Sequence, residues 1–347
     1  MSVNYAPVLW NKQKKLYDKI LWLGILLIMG TFVGAELLLH PNITPETLII
    51  RATAFTAIVL LHIILIIGPL CRINSLFLPL LYNRRHFGVS MFFIAAIHGV
   101  FSIMQFHGLG DVNPIVSVFT SNQHYQEISA FPFQIFGFFA LVILFLMAAT
   151  SHDFWLKNLS PKVWKGLHFS VYLAYAMIVL HVATGTLQYE TKPHYWVLLV
   201  GGFITIAGLH IYAGWKETQR LKADKDNAKK NGFYEVLAVE DISEKCATTV
   251  FIDGENIAIF KYDNKVSAVH NVCRHQMGPI GEGKIVNGCI TCPWHGYQYL
   301  PENGQSPPPF TEKLNTYQVK VIKGKVWVNP IPKSEGTFVE PAIISRQ

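Results

Sequence analysis

The chain has 347 residues, 51% of them hydrophobic and only 15% charged, with a formal net charge of +7. Soluble domains are about a quarter charged, so the deficit argues against an ordinary soluble protein and for one that meets lipid. Five cysteines with no evident pairing argue against a secreted disulfide scaffold, and the distribution of the basic excess assigns it to membrane topology and not to nucleic acid.

The N-terminus is basic (Lys12, Lys14, Lys15, Lys19) and leads into an apolar run with no small-residue cleavage site, so an uncleaved first helix is expected in place of a signal peptide. Apolar runs near 20–39, 48–70, 87–106, 131–150, 165–186 and 195–214 each approach the ~20 residues that cross a bilayer. Loops at one face carry Lys12 to Lys19, Arg72, Arg84, Arg85, Lys157, Lys162, Lys165, Lys216, Arg220 and Lys222, whereas the other face offers only Arg51 and Lys192. By the positive-inside rule both termini are cytoplasmic. Trp155, Trp164, Trp196, Tyr82 and Tyr195 fall near the ends of runs, where amphipathic rings suit the lipid–water interface. The expectation is a multi-pass protein of the inner (cytoplasmic) membrane, with a cytoplasmic N-terminus at 1–19 and six spans over 20–215. Six buried helices of a soluble protein are the weaker alternative.

His62, His98, His168, His181 and His210 lie inside the apolar runs, where an ionisable side chain is costly and usually functional. His168 and His181 share one run, thirteen residues or ~20 Å apart at 1.5 Å per residue. His98 lies at a depth close to that of His181, and His86, twelve residues before it, near the level of His168. Two pairs at two depths suit two stacked haems with bis-imidazole ligation; the alternative is that each ring hydrogen-bonds a neighbouring helix. His107, His124 and His152 fall between the runs and are expected as solvated loop residues. Arg84 and Arg85 suit haem propionates, though topology alone also accounts for them.

The stretches "RRHFGVSMFFIAAIH" (84–98) and "ATSHDFWLKNLSPKVWKGLHFSVYLAYAMIVLH" (148–181) resemble ferric reductase-like transmembrane domains, the family of NADPH-oxidase membrane cores. Within that family the likeness is to the haem subunits of bacterial methionine-sulfoxide reductase systems, over roughly residues 15–215. It implies haem b, one or two per chain, with His98, His168 and His181 as ligands. In the oxidase branch the third-span pair is fourteen apart, which would fall on Arg84 here. His86 is therefore the candidate fourth ligand, with His62 and His210 as alternatives.

After the last run, "KETQRLKADKDNAKKNG" (216–232) is a charged linker or helix extension. From 233 to 330 the texture changes to short β-branched and aromatic runs such as "FYEVLAV" and "KVSAVHNV", with "DGEN" and "DNK" as hairpin turns. This predicts a small all-β domain on the cytoplasmic side, followed by a tail at 331–347. Its centre holds Cys273-x-His275, sixteen intervening residues, then Cys292-x-x-His295. A zinc site would more often take two cysteines from one turn and two histidines from another. One of each per loop is the arrangement of a Rieske [2Fe–2S] centre, in which two thiolates hold one iron and two imidazoles the other.

"CPWHG" and its surroundings resemble a Rieske domain of the ferredoxin type over about 233–330. The resemblance implies a [2Fe–2S] cluster held by Cys273, His275, Cys292 and His295. Where high-potential relatives carry a disulfide between the two loops, Gly278 and Trp294 stand here. Where they place a serine that donates to a sulfide, this chain has Tyr297. Fewer hydrogen bonds to cluster sulfur mean a lower potential, on the order of −150 to 0 mV. Tyr299 is either a donor to a ligand thiolate or a core aromatic, and Cys289, in a strand-like run, is expected to be a buried thiol.

The fold expected is a six-helix transmembrane haem bundle followed by a small all-β Rieske domain. The function expected is transmembrane electron transfer, through cluster and haems, to an outer-face acceptor such as a periplasmic protein, ferric iron or quinone. No GxGxxG on a strand–helix unit is legible, so a separate cytosolic flavin reductase or ferredoxin is the expected donor. Reverse flow from quinol, and a redox-sensing Rieske module, are the alternatives. A membrane oxygenase is set aside because the runs contain no histidine box.

Overall fold

The computed structural model describes residues 12–81, 83–127, 130–152, 155, 159, 161–189, 193–223, 229–275, 277–294 and 296–344. It divides into two compact units, one of Lys12–Pro69 with Asn83–Ile211 and one of Leu70–Tyr82 with Tyr212–Gln347.

The first unit is helical. Helices α1 (Lys12–Leu39), α2 (Pro45–Ile73) and α3 (Arg84–His107) follow the first three apolar runs. A short α4 (Pro114–Thr120) precedes α5 (Gln134–Ala149), and the fifth run forms α6 (Pro161–Phe169) and α7 (Val171–Thr184). The last helix, α8 (Gly202–Ala223), continues from a π-helical turn at Val197–Gly201. Large apolar side chains such as Leu23, Leu27, Phe93 and Ile204 point outward, as helices that face lipid require.

Among the described residues, five helical stretches are long and apolar enough to cross a membrane: Lys14–Leu39, Pro45–Ile73, Arg84–His107, Gly166–Gln188 and Val197–Gln219. The run at 131–150 differs from its expectation as a full span. Its helix α5 has 16 residues, about 24 Å at 1.5 Å per residue, against the ~20 residues of a typical crossing. Pro132 stands just before its start, where proline's missing N–H costs no helical bond, and Thr150 closes its end with N–H and hydroxyl both on the Leu146 carbonyl. His107, expected as a solvated loop residue, is instead the last residue of α3. It is buried and its Nδ1 meets the Ser117 hydroxyl of α4 at 2.9 Å.

Among the described residues the β-rich part of the second unit forms three small sheets. One has the order β1 (Lys229–Lys230), β2 (Phe233–Ala238), β11 (Lys325–Val328), β10 (Val319–Ile322). A second runs β12 (Ala342–Ile343), β5 (Lys265–His270), β4 (Glu255–Tyr262), β3 (Ala247–Ile252), with β9 (Thr316–Tyr317) also on β5. The third is β6 (Lys284–Val286), β7 (Cys289–Thr291), β8 (Gln298–Tyr299). Asp253–Gly254, Asp263–Asn264, Asn287–Gly288 and Lys323–Gly324 each close a two-residue hairpin with both residues at positive φ, the backbone that matches the twist of the flanking strands. The expected turns at "DGEN" and "DNK" are two of these. One apolar core, with Ile257, Ile259, Val266, Tyr317 and Val326, lies under the first two sheets. Another, with Phe260, Ile280, Ile290 and Tyr299, includes Cys273 and Cys292 themselves. The segment after Val328 returns to the domain: Lys333 N–H donates to the Thr316 carbonyl, Val339 N–H to that of Glu302, and β12 pairs with β5.

Candidate functional site

Two sites emerge, one in each unit. In the β domain the two cysteine loops have the same frame. Residues 273–278 are closed at the base by the Val272/Pro279 bridge, and 292–297 by the Thr291/Gln298 pair. In the first loop Cys273 N–H donates to the Gly278 carbonyl (2.8 Å) and Met277 N–H to that of Cys273 (2.7 Å). In the second, Cys292 N–H donates to the Tyr297 carbonyl (2.8 Å) and Gly296 N–H to that of Cys292 (2.9 Å). The fourth residue after each cysteine has positive φ, 57° at Met277 and 72° at Gly296, which turns the chain back. Equivalent residues are thus nineteen apart, and only the histidine slips by one place, from third in the first loop to fourth in the second.

Cys273 and Cys292 form no disulfide and are 1% and 2% exposed. A Cβ on Gly278 would lie 3.0 Å from Cys292 Sγ and 3.1 Å from the Trp294 ring, so the bare Cα leaves the space between the loops open. The two positions expected to replace a disulfide, Gly278 and Trp294, do face each other. Tyr299 is fully buried and bridges the first loop: its hydroxyl accepts Arg274 N–H at 3.1 Å and meets Cys273 Sγ at 3.3 Å. Burial, reinforced by the neighbouring thiol groups, drives its ionisation far above the ordinary phenol range, so it remains a donor. The Tyr297 hydroxyl turns instead to Glu312, while its ring stacks on His275 at 4.7 Å and 10°. Cys289 is buried in β7 and pushed up to about 11 by burial and the Glu302 charge, an inert thiol. His295 lies outside the described residues. Among the described residues no three His, Cys, Asp or Glu side chains gather into a single-ion cage.

In the helical unit, α3 and α7 bring His98 and His181 together, with ring centroids 6.4 Å apart at 75°. Two imidazoles on opposite sides of one metal ion, each with a bond of about 2 Å and a ring centre about 1 Å further on, would stand about 6 Å apart. Each Nδ1 is held by a backbone carbonyl, His98 by Ile50 at 3.1 Å and His181 by Phe133 at 2.9 Å. A carbonyl accepts only from N–H, so both rings carry their proton on Nδ1 and offer the Nε2 lone pair to a metal. Gly137 makes room: a Cβ there would come within 2.8 Å of the His181 ring. The arrangement fits a group with two axial imidazoles.

The other membrane histidines are placed differently. His168 Nδ1 meets the Trp164 carbonyl at 3.0 Å, its Nε2 is 3.4 Å from the Ser151 hydroxyl, and its ring stacks on Trp164 at 3.8 Å. His86, 44% exposed, engages the Asp18 carboxylate through Nδ1 at 3.0 Å. No ring contact joins His86 to His168 among the described residues. His62 Nε2 meets Tyr175 and His210 Nε2 meets Tyr172, both at 3.0 Å, so each of these two rings has its Nε2 on a phenol.

Several residues were missed from sequence. Ile50 and Phe133 act through their carbonyls, which no side-chain pattern reveals. Asp18 sits in a run read only for its lysines. Glu36, 4% exposed within α1, has Arg51 Nη1 at 3.4 Å and the Tyr195 hydroxyl at 3.4 Å; an acid inside an apolar run was the available signal.

Residues 53–179 match the family described as ferric reductase like transmembrane component, and residues 232–318 match the Rieske [2Fe–2S] domain. The protein-methionine-sulfoxide reductase heme-binding subunit of Herminiimonas arsenicoxydans is 30% identical over 169 residues, which span 49% of this chain and 72% of that one. The chain belongs to the ferric reductase-like transmembrane family. Its C-terminal part is a Rieske domain. There the anthranilate 1,2-dioxygenase ferredoxin subunit of Burkholderia cepacia is 27% identical over 93 residues, 26% of this chain and 86% of that one. A solved chain from the complex of reduced oxygenase and oxidized ferredoxin in carbazole 1,9a-dioxygenase is 24% identical and covers 30% of this chain and 98% of its own, at a TM-score of 0.28. The protein is therefore a multi-pass membrane protein with an oxidoreductase or electron-transfer role, and its Rieske domain supports a [2Fe–2S] cluster.

Proposed function

We propose that this chain carries single electrons across the cytoplasmic membrane, from a cytosolic donor, by way of a Rieske cluster and b-type haem, to an acceptor at the outer face. The observation that carries the reading is the facing pair His98 and His181, both with Nδ1 tied to carbonyls, on the same chain as two matched cysteine loops. When bound, cluster and haem supply one-electron redox centres at fixed positions.

The chain's own residues do the rest. Cys273 and Cys292 offer buried thiolates, and His275 and His295 the imidazoles that leave the cluster less negative than an all-cysteine one. Ile50 and Phe133 fix the tautomers of His98 and His181. His168, with His86, is the candidate holder of a second haem nearer the cytoplasmic side; Asp18 orients His86 as a carboxylate orients a ligating imidazole. The concentration of lysine and arginine at one set of loops supports a cytoplasmic Rieske domain. A cytosolic flavin reductase or ferredoxin fits as donor, and a periplasmic protein, ferric iron or quinone as acceptor.

The experiment is a count of haem b and total iron on detergent-purified full chain, with midpoint titrations of each centre. Two haems and two further irons per chain, with the haem on His98 and His181 at the highest midpoint, are expected. One haem would remove the His86–His168 centre, and a Rieske midpoint above both haems would reverse the direction.

A further inference from the structure

We propose that Glu312 and Tyr297 form a positioning pair for the ligand His275 and hold the reduction potential of the Rieske cluster down. The inference rests on the assignment of that cluster to Cys273, His275, Cys292 and His295.

Tyr297 sits at the base of the second ligand loop, where its carbonyl accepts the Cys292 N–H. Its ring lies almost flat on the His275 imidazole, 4.7 Å between centroids at 10°. Phe310 meets it edge-on at 5.0 Å and Tyr299 lies tilted against it at 5.5 Å, so with 4% of its surface exposed the ring has little freedom to turn. The hydroxyl donates to Glu312 Oε2, and the same oxygen accepts the Thr311 N–H at 3.1 Å, which steadies the carboxylate. A stretch of chain outside the two ligand loops thus reaches a ligand ring through a single phenol.

Two physical effects follow. The stack restricts the rotation of His275 about its own bond to the cluster, as outer partners of ligating imidazoles do. The half-buried carboxylate adds a negative charge one ring away from the imidazole-bound side of the cluster. A negative charge disfavours the added electron, so the oxidised state gains and the potential falls. A hydroxyl at position 297 committed to Glu312 is also not aimed at a sulfide, and the two effects act in the same direction.

The test uses the full chain in detergent, titrated anaerobically while the EPR signal of the reduced cluster is recorded, with iron content measured alongside. Glu312→Gln keeps an acceptor for the Tyr297 hydroxyl and removes the charge. It should raise the midpoint by a three- to tenfold change in the reduction equilibrium, about 28 to 59 mV at 59 mV per tenfold. Tyr297→Phe keeps the stack, frees the carboxylate to move toward solvent, and should raise the midpoint in the same direction. A purely structural role would lower the loaded fraction or Tm and leave the midpoint of the loaded protein where it was. A shift below twofold, or a downward one, in cluster-loaded Glu312→Gln overturns the proposal. If that variant fails to load, Tyr297→Phe decides by the same criterion, and loss of the cluster from both assigns the pair to folding and overturns it as well. Absence of a Rieske signal from the unaltered chain would instead sink the cluster assignment beneath it.

Discussion

Tyr299→Phe isolates one hydrogen bond at the Rieske loops. The hydroxyl lies 3.3 Å from Cys273 Sγ and 3.1 Å from Arg274 N, and the side chain is fully buried. Because burial keeps the phenol protonated, it donates to the sulfur, and a donor stabilises the reduced, more electron-rich state. A hydrogen bond to a charged group is worth about 1.5–3 kcal/mol. A distance of 3.3 Å to sulfur is long, so a difference of about 1 to 1.5 kcal/mol between oxidation states is reasonable. At 59 mV per tenfold, and 1.36 kcal/mol per tenfold, the midpoint should fall by about 40 to 65 mV. The same change leaves the Arg274 N–H without its acceptor and costs about 1–3 kcal/mol of domain stability. An EPR-monitored titration of cluster-loaded protein measures the first effect, and the unfolding midpoint the second. A midpoint that rises, or moves by less than about 20 mV, would refute the donor role.

Three further predictions concern space and ligation. Gly278→Ala puts a methyl 3.0 Å from Cys292 Sγ and should cost about 1–3 kcal/mol, read as a lower Tm and a reduced cluster load in iron assays. Gly137→Ala drives a methyl within 2.8 Å of the His181 ring; haem content by pyridine haemochrome should drop while the Rieske EPR signal persists. His98→Ala or His181→Ala should remove one haem, whereas His210→Ala, whose ring is engaged by Tyr172 and the Ile206 carbonyl, should leave the haem content unchanged.

Much of this was legible in the chain because the signals are local. Apolar length marks spans, and Asp-Gly, Asp-Asn and Asn-Gly pairs mark hairpins because only such residues tolerate positive φ at little cost. The cysteine–histidine motifs are close in sequence, and the loops that hold them differ by a fixed nineteen residues. Matched depth also anticipated His98 beside His181. It did not anticipate the separate environments of His86 and His168, because depth says nothing of the angle around a helix axis. The short helix at 134–149 was overread because hydropathy marks an apolar run and not where within it a helix begins and ends. The Tyr297–Glu312 contact and the carbonyls on His98 and His181 join residues far apart in the chain, beyond the reach of spacing rules. The return of residues 331–344 to the β domain depends likewise on backbone bonds to distant strands.

The central claim is that electrons cross the membrane through this chain, entering at the Rieske loops. The full chain should be placed in vesicles that enclose ferricyanide, with a reduced [2Fe–2S] ferredoxin added outside, and the enclosed ferricyanide followed by its absorbance. The account predicts bleaching with the unaltered chain that is lost in both Cys292→Ser and His181→Ala. Bleaching no faster than in empty vesicles, or undiminished in either variant, would contradict it.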